Sequence, residues 1–110
     1  MKITCPCNRQ LVDSTDALPY KAHIISDRDW HPILDAIDAA IEETGSSRAA
    51  RETACMAIRS LLNGKTRQAW QCPACGTLYL DAEENQLHRF TPASETVPKD
   101  LLDIKEQVPQ

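Results

Sequence analysis

The sequence predicts an α+β fold in which both ends of the chain build a small antiparallel framework and the middle forms an inserted helical hairpin. Three observations carry this. Paired cysteines sit near the start (Cys5, Cys7) and two-thirds of the way along (Cys72, Cys75). Short β-prone segments flank each pair. Between them, residues 27–64 repeat apolar side chains at helical spacing. At 110 residues the chain is one domain by length and can bury only a modest core.

The first strand is expected at Lys2–Thr4 and the second, after the cysteine turn, at Arg9–Val12. Residues Ser14–Ile25 read as loop or extended chain, with a short strand at His23–Ile25. A helix is expected from near Asp29, capped by Asp27 or Asp29, with Pro32 in its first turn. Trp30, Ile33, Leu34, Ile37 and Ile41 form one apolar stripe on it, and Gly45 is the expected residue just past its end. Ser46 or Ser47 caps a second helix. Ala50, Ala54, Ala57, Ile58, Leu61 and Leu62 share its apolar face, and Asn63-Gly64 closes it. The short Gly45-Ser46-Ser47 connection makes the two helices an αα-hairpin. Strands follow at Ala69–Gln71, Thr77–Leu80 and Leu87–Phe90, with a polar turn over Asp81–Asn85. The expected organisation is one domain over residues 1–92 with its insertion at 27–64. A polar tail over 93–110 can carry a short helix from Pro98 through Leu101, Leu102 and Ile104.

The two cysteine segments align with a one-residue gap. Cys5-Pro6-Cys7-Asn8 continues through Leu11 and Val12 to Asp13; Cys72-Pro73-Ala74-Cys75-Gly76 continues through Leu78, Tyr79 and Leu80 to Asp81. Each half is a cysteine turn, a residue tolerant of positive φ, and a strand ending in Asp. Two such turns facing each other supply four soft ligands for a tetrahedral Zn²⁺, so Cys5, Cys7, Cys72 and Cys75 are the candidate ligands. A set of four thiolates is coordinatively closed, which points to structural rather than catalytic zinc. Cys-Pro-Ala-Cys also suits a thiol redox centre, but that motif opens a helix, and here a Gly and β-formers follow at once.

These residues resemble a zinc ribbon with a rubredoxin-like knuckle and a long helical insertion. The resemblance covers residues 1–12 and 70–90. It implies a small antiparallel ribbon with zinc fixing its two halves. The second knuckle matches the Cys-Pro-x-Cys-Gly pattern. The first departs from it, because Cys5-x-Cys7 is one residue short and Asn8 replaces Gly. His23, His31 and His88 are therefore alternatives for a fourth ligand. The chain is also similar to small bacterial proteins with this split cysteine arrangement, a likeness that brings no established activity.

The net charge of −4 argues against a protein that binds nucleic acid mainly by neutralising phosphate. The start lacks an apolar leader, and no apolar run is long enough to span a membrane. The chain reads as soluble and cytoplasmic, where paired cysteines favour metal over disulfide. No Gly-rich phosphate loop or metal-hydrolase signature is present. Asp35, Asp38 and Glu42 fall opposite the first helix's apolar stripe, with Glu43 near them. A solvated face explains such residues, yet no Lys or Arg relieves them between Asp29 and Gly45, which also fits docking of a basic protein. Arg59, Lys65 and Arg67 form a small basic cluster near the second knuckle. Cys55 reads as a half-buried side chain on the edge that carries Arg48, Arg51 and Arg59.

Three classes of function are compatible with these features. The first is a non-catalytic binding module. A small acidic cytoplasmic protein without an active-site signature resembles the immunity proteins that neutralise bacterial toxins, and the resemblance implies a basic toxin domain as partner. The second is a ribbon adaptor on nucleic acid in transcription or translation, which should carry more Lys and Arg. The third is an enzyme, through the Cys72–Cys75 pair or a catalytic zinc. The sequence favours the first.

Overall fold

The computed structural model describes residues 1–105. It is α+β, with two helices and two antiparallel sheets. Strands β1 (Lys2–Thr4) and β2 (Gln10–Val12) pair as a hairpin, with Ile3 opposite Leu11. Each three-residue strand turns its middle side chain inward, so Ile3 and Leu11 are buried while their neighbours are exposed. Strand β3 (Lys21–Ile25) opens a four-stranded sheet that continues through β4 (Thr66–Gln71), β5 (Leu78–Asp81) and β6 (Leu87–Phe90) in that spatial order. β4 pairs with β5 through Trp70 opposite Tyr79, and β5 with β6 through Leu80 opposite His88.

Residues 1–23 and the chain from Arg67 onward form one compact unit; Ile24–Thr66 form another. The core of the first unit is Ile3, Leu11, Trp70 and Tyr79 together with the sulfur-bearing Cys5 and Cys72, with Tyr20 and Cys75 packed against it. Four large side chains supply roughly 6–12 kcal/mol of apolar burial, a slender core for a unit of this size.

The second unit is the helical hairpin. Helix α1 (Asp27–Glu43) starts two residues before the expected position, because Ser26 and not an Asp is its cap. The Ser26 hydroxyl accepts from the Asp29 N–H at 3.3 Å and donates to the Asp29 carboxylate at 2.9 Å, a reciprocal arrangement that sets the first turn. Pro32 consequently lies inside the helix rather than in its first turn. The left-handed C-terminal glycine is not used: Gly45 keeps a negative φ, Thr44 is extended, and its hydroxyl donates to the Ala40 carbonyl at 2.6 Å. Helix α2 (Arg48–Lys65) is capped by Ser47, which accepts from the Ala50 N–H at 3.1 Å. It runs through Asn63-Gly64 instead of ending there, and Thr66 passes directly into β4. A glycine in that last turn costs about 1 kcal/mol, less than a break would cost in lost hydrogen bonds. A Lys65–Asp29 ion pair at 3.7 Å ties the open ends of the two helices.

The helical stripe is less buried than its periodicity suggests. Of α1 only Ile33 is buried, and α2 buries no residue. A lone two-helix hairpin covers only the seam between its members, so the outer edge of each stripe stays in solvent. No described helix is long and apolar enough to cross a membrane.

The tail does not form the helix expected from Pro98 to Ile104. Residues 93–105 are irregular, with a turn closed by the Asp103 N–H on the Asp100 carbonyl at 3.1 Å; positions 106–110 of the predicted tail lie outside the described residues. Gln71 holds this segment down. Its buried amide donates to the carbonyls of Pro98 (3.0 Å) and Gly76 (3.3 Å) and accepts from the Leu101 N–H (2.7 Å).

Candidate metal centre

Both cysteine turns reverse through a residue of positive φ, as their chemistry predicts. Asn8 has φ 75° and Gly76 φ 82°. The one-residue difference between them is absorbed by the turn itself. In the shorter turn the Asn8 N–H bonds to the Cys5 carbonyl; in the longer one the Gly76 N–H bonds to the Cys72 carbonyl one residue farther back. Each turn then closes onto its strand, Cys5 N–H to the Arg9 carbonyl at 2.9 Å and Cys72 N–H to the Thr77 carbonyl at 2.8 Å. Asn tolerates the left-handed region because its side chain is short and polar. Gly76 has a further reason: a Cβ there would lie 3.2 Å from Pro92 Cγ.

The turns face each other and their sulfurs interleave. Cys5 Sγ is 3.5 Å from Cys75 Sγ, Cys7 Sγ is 3.5 Å from Cys72 Sγ, and all four lie within 4.8 Å of one another. These separations are far beyond the roughly 2.05 Å of a disulfide. They are close to the edge of about 3.8 Å that a tetrahedron with metal–sulfur bonds of about 2.3 Å requires. The cluster can hold a metal ion, and a tetrahedral set of four thiolates suits Zn²⁺ or an iron–sulfur centre. Cys5 and Cys72 are buried, Cys75 is partly buried and Cys7 is exposed, so one side of the cluster opens to solvent.

The surroundings divide the thiols by charge state. The Thr77 hydroxyl, 3.1 Å from Cys75 Sγ, and then the Thr77 N–H pull Cys75 down to about 6, so it is a thiolate at neutral pH. Burial pushes Cys72 up, against the backbone N–H groups of Cys75 and Ala74 that face it. Beside Cys5 stands the Tyr79 hydroxyl, buried and without an acceptor of good geometry among the described residues. Burial, and then the adjacent Cys5, raise its pKa far above the ordinary phenol value, so it keeps its proton. A protonated hydroxyl without an acceptor beside a thiol fits a site whose thiol becomes a metal-bound thiolate and accepts from it.

The aspartates that end the two half-repeats both bind β4. Asp13 accepts from Trp70 Nε1 at 3.0 Å and pairs with Lys21 Nζ at 2.7 Å; Asp81 accepts from the Gln68 N–H at 2.9 Å. Lys21 also lies 5.8 Å from the centre of the Trp70 ring. Lys21 holds the Asp13 carboxyl below its usual range, with Trp70 adding to the effect against the opposing pull of burial.

Other sequence-derived candidates lie elsewhere. Among the described residues no histidine joins the four sulfurs: His23 and His88 are in β3 and β6, and His31 is on α1. Cys55 is exposed rather than half-buried. The basic trio does not act as a cluster, since Lys65 pairs with Asp29 and Arg67 donates to the Asp81 carbonyl at 3.3 Å. Asp35, Asp38, Glu42 and Glu43 are all exposed, and none is in an ion pair among the described residues. Sequence reasoning gave no role to Thr77, Tyr79 or Gln71. Thr77 follows the second knuckle directly, which was the available signal. Tyr79 and Gln71 had none beyond their strand positions.

One protein-family profile matches residues 1–97 and is described as a domain of unknown function (DUF8617). No curated protein and no solved structure matches the chain.

Proposed function

We propose that this chain, which belongs to the DUF8617 family, is a non-catalytic protein-binding module whose cysteine unit is a zinc ribbon and whose acidic helix receives a basic partner. Zn²⁺ is the ion that best suits four thiolates in a structural role, since it brings no redox chemistry and accepts a closed tetrahedron. Cys5, Cys7, Cys72 and Cys75 are its ligands. When bound, the ion supplies cross-linking energy between the two knuckles, which the slender core of that unit needs.

The observation that carries the binding role is the charge of α1. Asp27, Asp29, Asp35, Asp38, Glu42 and Glu43 stand against Arg28 alone. All of these carboxylates but Asp29 are exposed and free of ion pairs among the described residues. Surface carboxylates held together without counter-charges repel one another, and a cationic protein surface relieves that repulsion. A toxin domain with a basic cleft is the partner that this face suits, which makes the chain an immunity-type inhibitor in a bacterial cytoplasm.

The test is co-expression with the product of the neighbouring gene. Suppression of that product's toxicity is expected, as is its loss on combining Asp35→Lys with Glu43→Lys. A neighbour that is harmless, or whose toxicity is unaffected by the chain, contradicts the reading. Salt-sensitive binding of the chain to nucleic acid in an anisotropy titration would instead favour an adaptor role.

A further inference from the structure

We propose that the α1–α2 hairpin is a homodimerisation surface. Two copies pack face to face about a two-fold axis along the helices, laying α1 of each on α2 of the other. The first observation is an apolar face without a cover. On α1, Trp30, Leu34 and Ile41 share one helical face, at i, i+4 and i+11, and are 47%, 38% and 67% exposed. Their row is rotated by roughly a quarter-turn from Ile33, the one buried residue of α1. Beside Ile41 a groove of about 350 Å³ runs between the helices, walled by Ala40, Ala54, Cys55 and Ile58 with Arg51 at its edge. The face is therefore continuous across both helices, and bulky aliphatic and indole groups on it meet water.

The second observation names the occupant. Six carboxylates against Arg28 give α1 a net charge of −5; Arg48, Arg51, Arg59 and Lys65 against Glu52 give α2 a net charge of +3. The apolar face thus has an acidic edge on one side and a basic edge on the other. Such a face is complementary to itself under one symmetry operation. A two-fold axis along the helices puts each acidic helix on the partner's basic helix; an axis across them would stack acid on acid and base on base.

The hairpin's own register makes the match local. The Asp29–Lys65 ion pair and the Ile41–Ala54 groove fix which residues of α1 and α2 share a level. A two-fold axis along the helices preserves level, so Asp35 and Asp38 bracket the level of the partner's Arg59 and Glu42 comes opposite its Arg51 region. Asp38, Glu42, Arg51 and Arg59 are all exposed and outside ion pairs among the described residues. The product is a four-helix bundle, the usual way for two amphipathic hairpins to remove their open faces from water. Glu43 lies away from this face on the helical wheel and stays free for another partner.

The experiment is analytical ultracentrifugation of the full chain over a concentration series at low and high salt. A dimer that dissociates more readily in high salt is expected. Ile41→Glu should weaken it at least tenfold with an unchanged circular dichroism spectrum, because Ile41 is largely exposed in the single chain. Asp38→Lys with Glu42→Lys, and separately Arg51→Glu with Arg59→Glu, should each give monomers, and an equimolar mixture of the two variants should recover the dimer. A chain that is monomeric throughout overturns the proposal. So does a dimer indifferent to Ile41→Glu, or a mixture of the charge variants that stays monomeric.

Discussion

Replacing Tyr79 with Phe removes one oxygen atom and should act with opposite sign on the two states of the metal centre. Among the described residues the hydroxyl is buried without a good acceptor, and an unsatisfied group of this kind costs about 1–3 kcal/mol wherever no metal-bound thiolate accepts from it. Tyr79→Phe removes that cost and leaves the ring, which is 5% exposed in the native core, in place. With metal bound, Cys5 would be a thiolate beside the hydroxyl and would accept a charge-assisted hydrogen bond from it. Loss of such an outer partner typically lowers metal affinity about 10–100-fold. At about 1.4 kcal/mol per tenfold, that is about 1.4–2.8 kcal/mol. Competition against a chelator of known zinc affinity, with wild type and variant side by side, reads the difference directly. The cobalt-substituted protein gives a second readout, since a change at one sulfur shifts the thiolate-to-metal charge-transfer band. Equal zinc affinities within twofold, with an unshifted cobalt band, would refute the claim that Tyr79 donates to the bound thiolate.

Asp13→Ala should destabilise the chain by about 2–3 kcal/mol in urea titrations, because it strands the Trp70 indole N–H and the Lys21 ammonium together. Asp13→Asn keeps an acceptor for Trp70 but loses the charge. The Asp13 carboxyl is held below its ordinary pKa, so its stabilisation is fully present above the unfolded-state value near pH 4 and fades as pH falls through the folded-state value. The gap between wild type and Asp13→Asn should therefore narrow on acidification; a gap that widens would contradict the pairing. Gly76→Ala should cost about 1–2 kcal/mol, since φ is 82° and the new Cβ meets Pro92 at 3.2 Å. Asn8→Gly should be nearly neutral in the same denaturation assay. Gln71→Leu removes every hydrogen bond that the side chain makes to Gly76, Pro98 and Leu101. Amide exchange at Leu101 should accelerate at least tenfold, and unchanged exchange there would show that the tail is held by other contacts.

The sequence was most legible where local chemistry decides the outcome. Both knuckles reverse at Asn8 and Gly76, the residues that tolerate positive φ, and the one-residue gap between the half-repeats reappears as a one-residue difference in turn hydrogen bonding. Each knuckle is short enough to bring its own two cysteines together, and the meeting of the two knuckles is a long-range contact between half-repeats. Element type was legible for the two helices, whose apolar spacing runs over several turns, and for the short strands beside the cysteine turns; β3 was read only over His23–Ile25 and begins at Lys21. Helix ends were not legible, because Ser26, Asp27 and Asp29 all suit a cap, and the choice depends on which side chain can close a reciprocal bond. Gly64 was misread for a related reason: a glycine can end a helix or merely weaken it, and here the chain continues directly into β4. The tail's apparent helix reflects apolar spacing in Leu101, Leu102 and Ile104, but backbone groups of Pro98 and Leu101 are claimed by Gln71, a long-range contact no local pattern reveals. The same holds for Tyr79, whose place beside Cys5 follows from how separate strands meet.

The most direct test of the central claim is native mass spectrometry of the purified chain with elemental metal analysis. One Zn²⁺ per chain, lost together with folded structure on Cys72→Ser, is the result this account predicts. A metal-free chain whose mass rises by about two daltons on reduction would place a disulfide where four free thiols stand, and would contradict it.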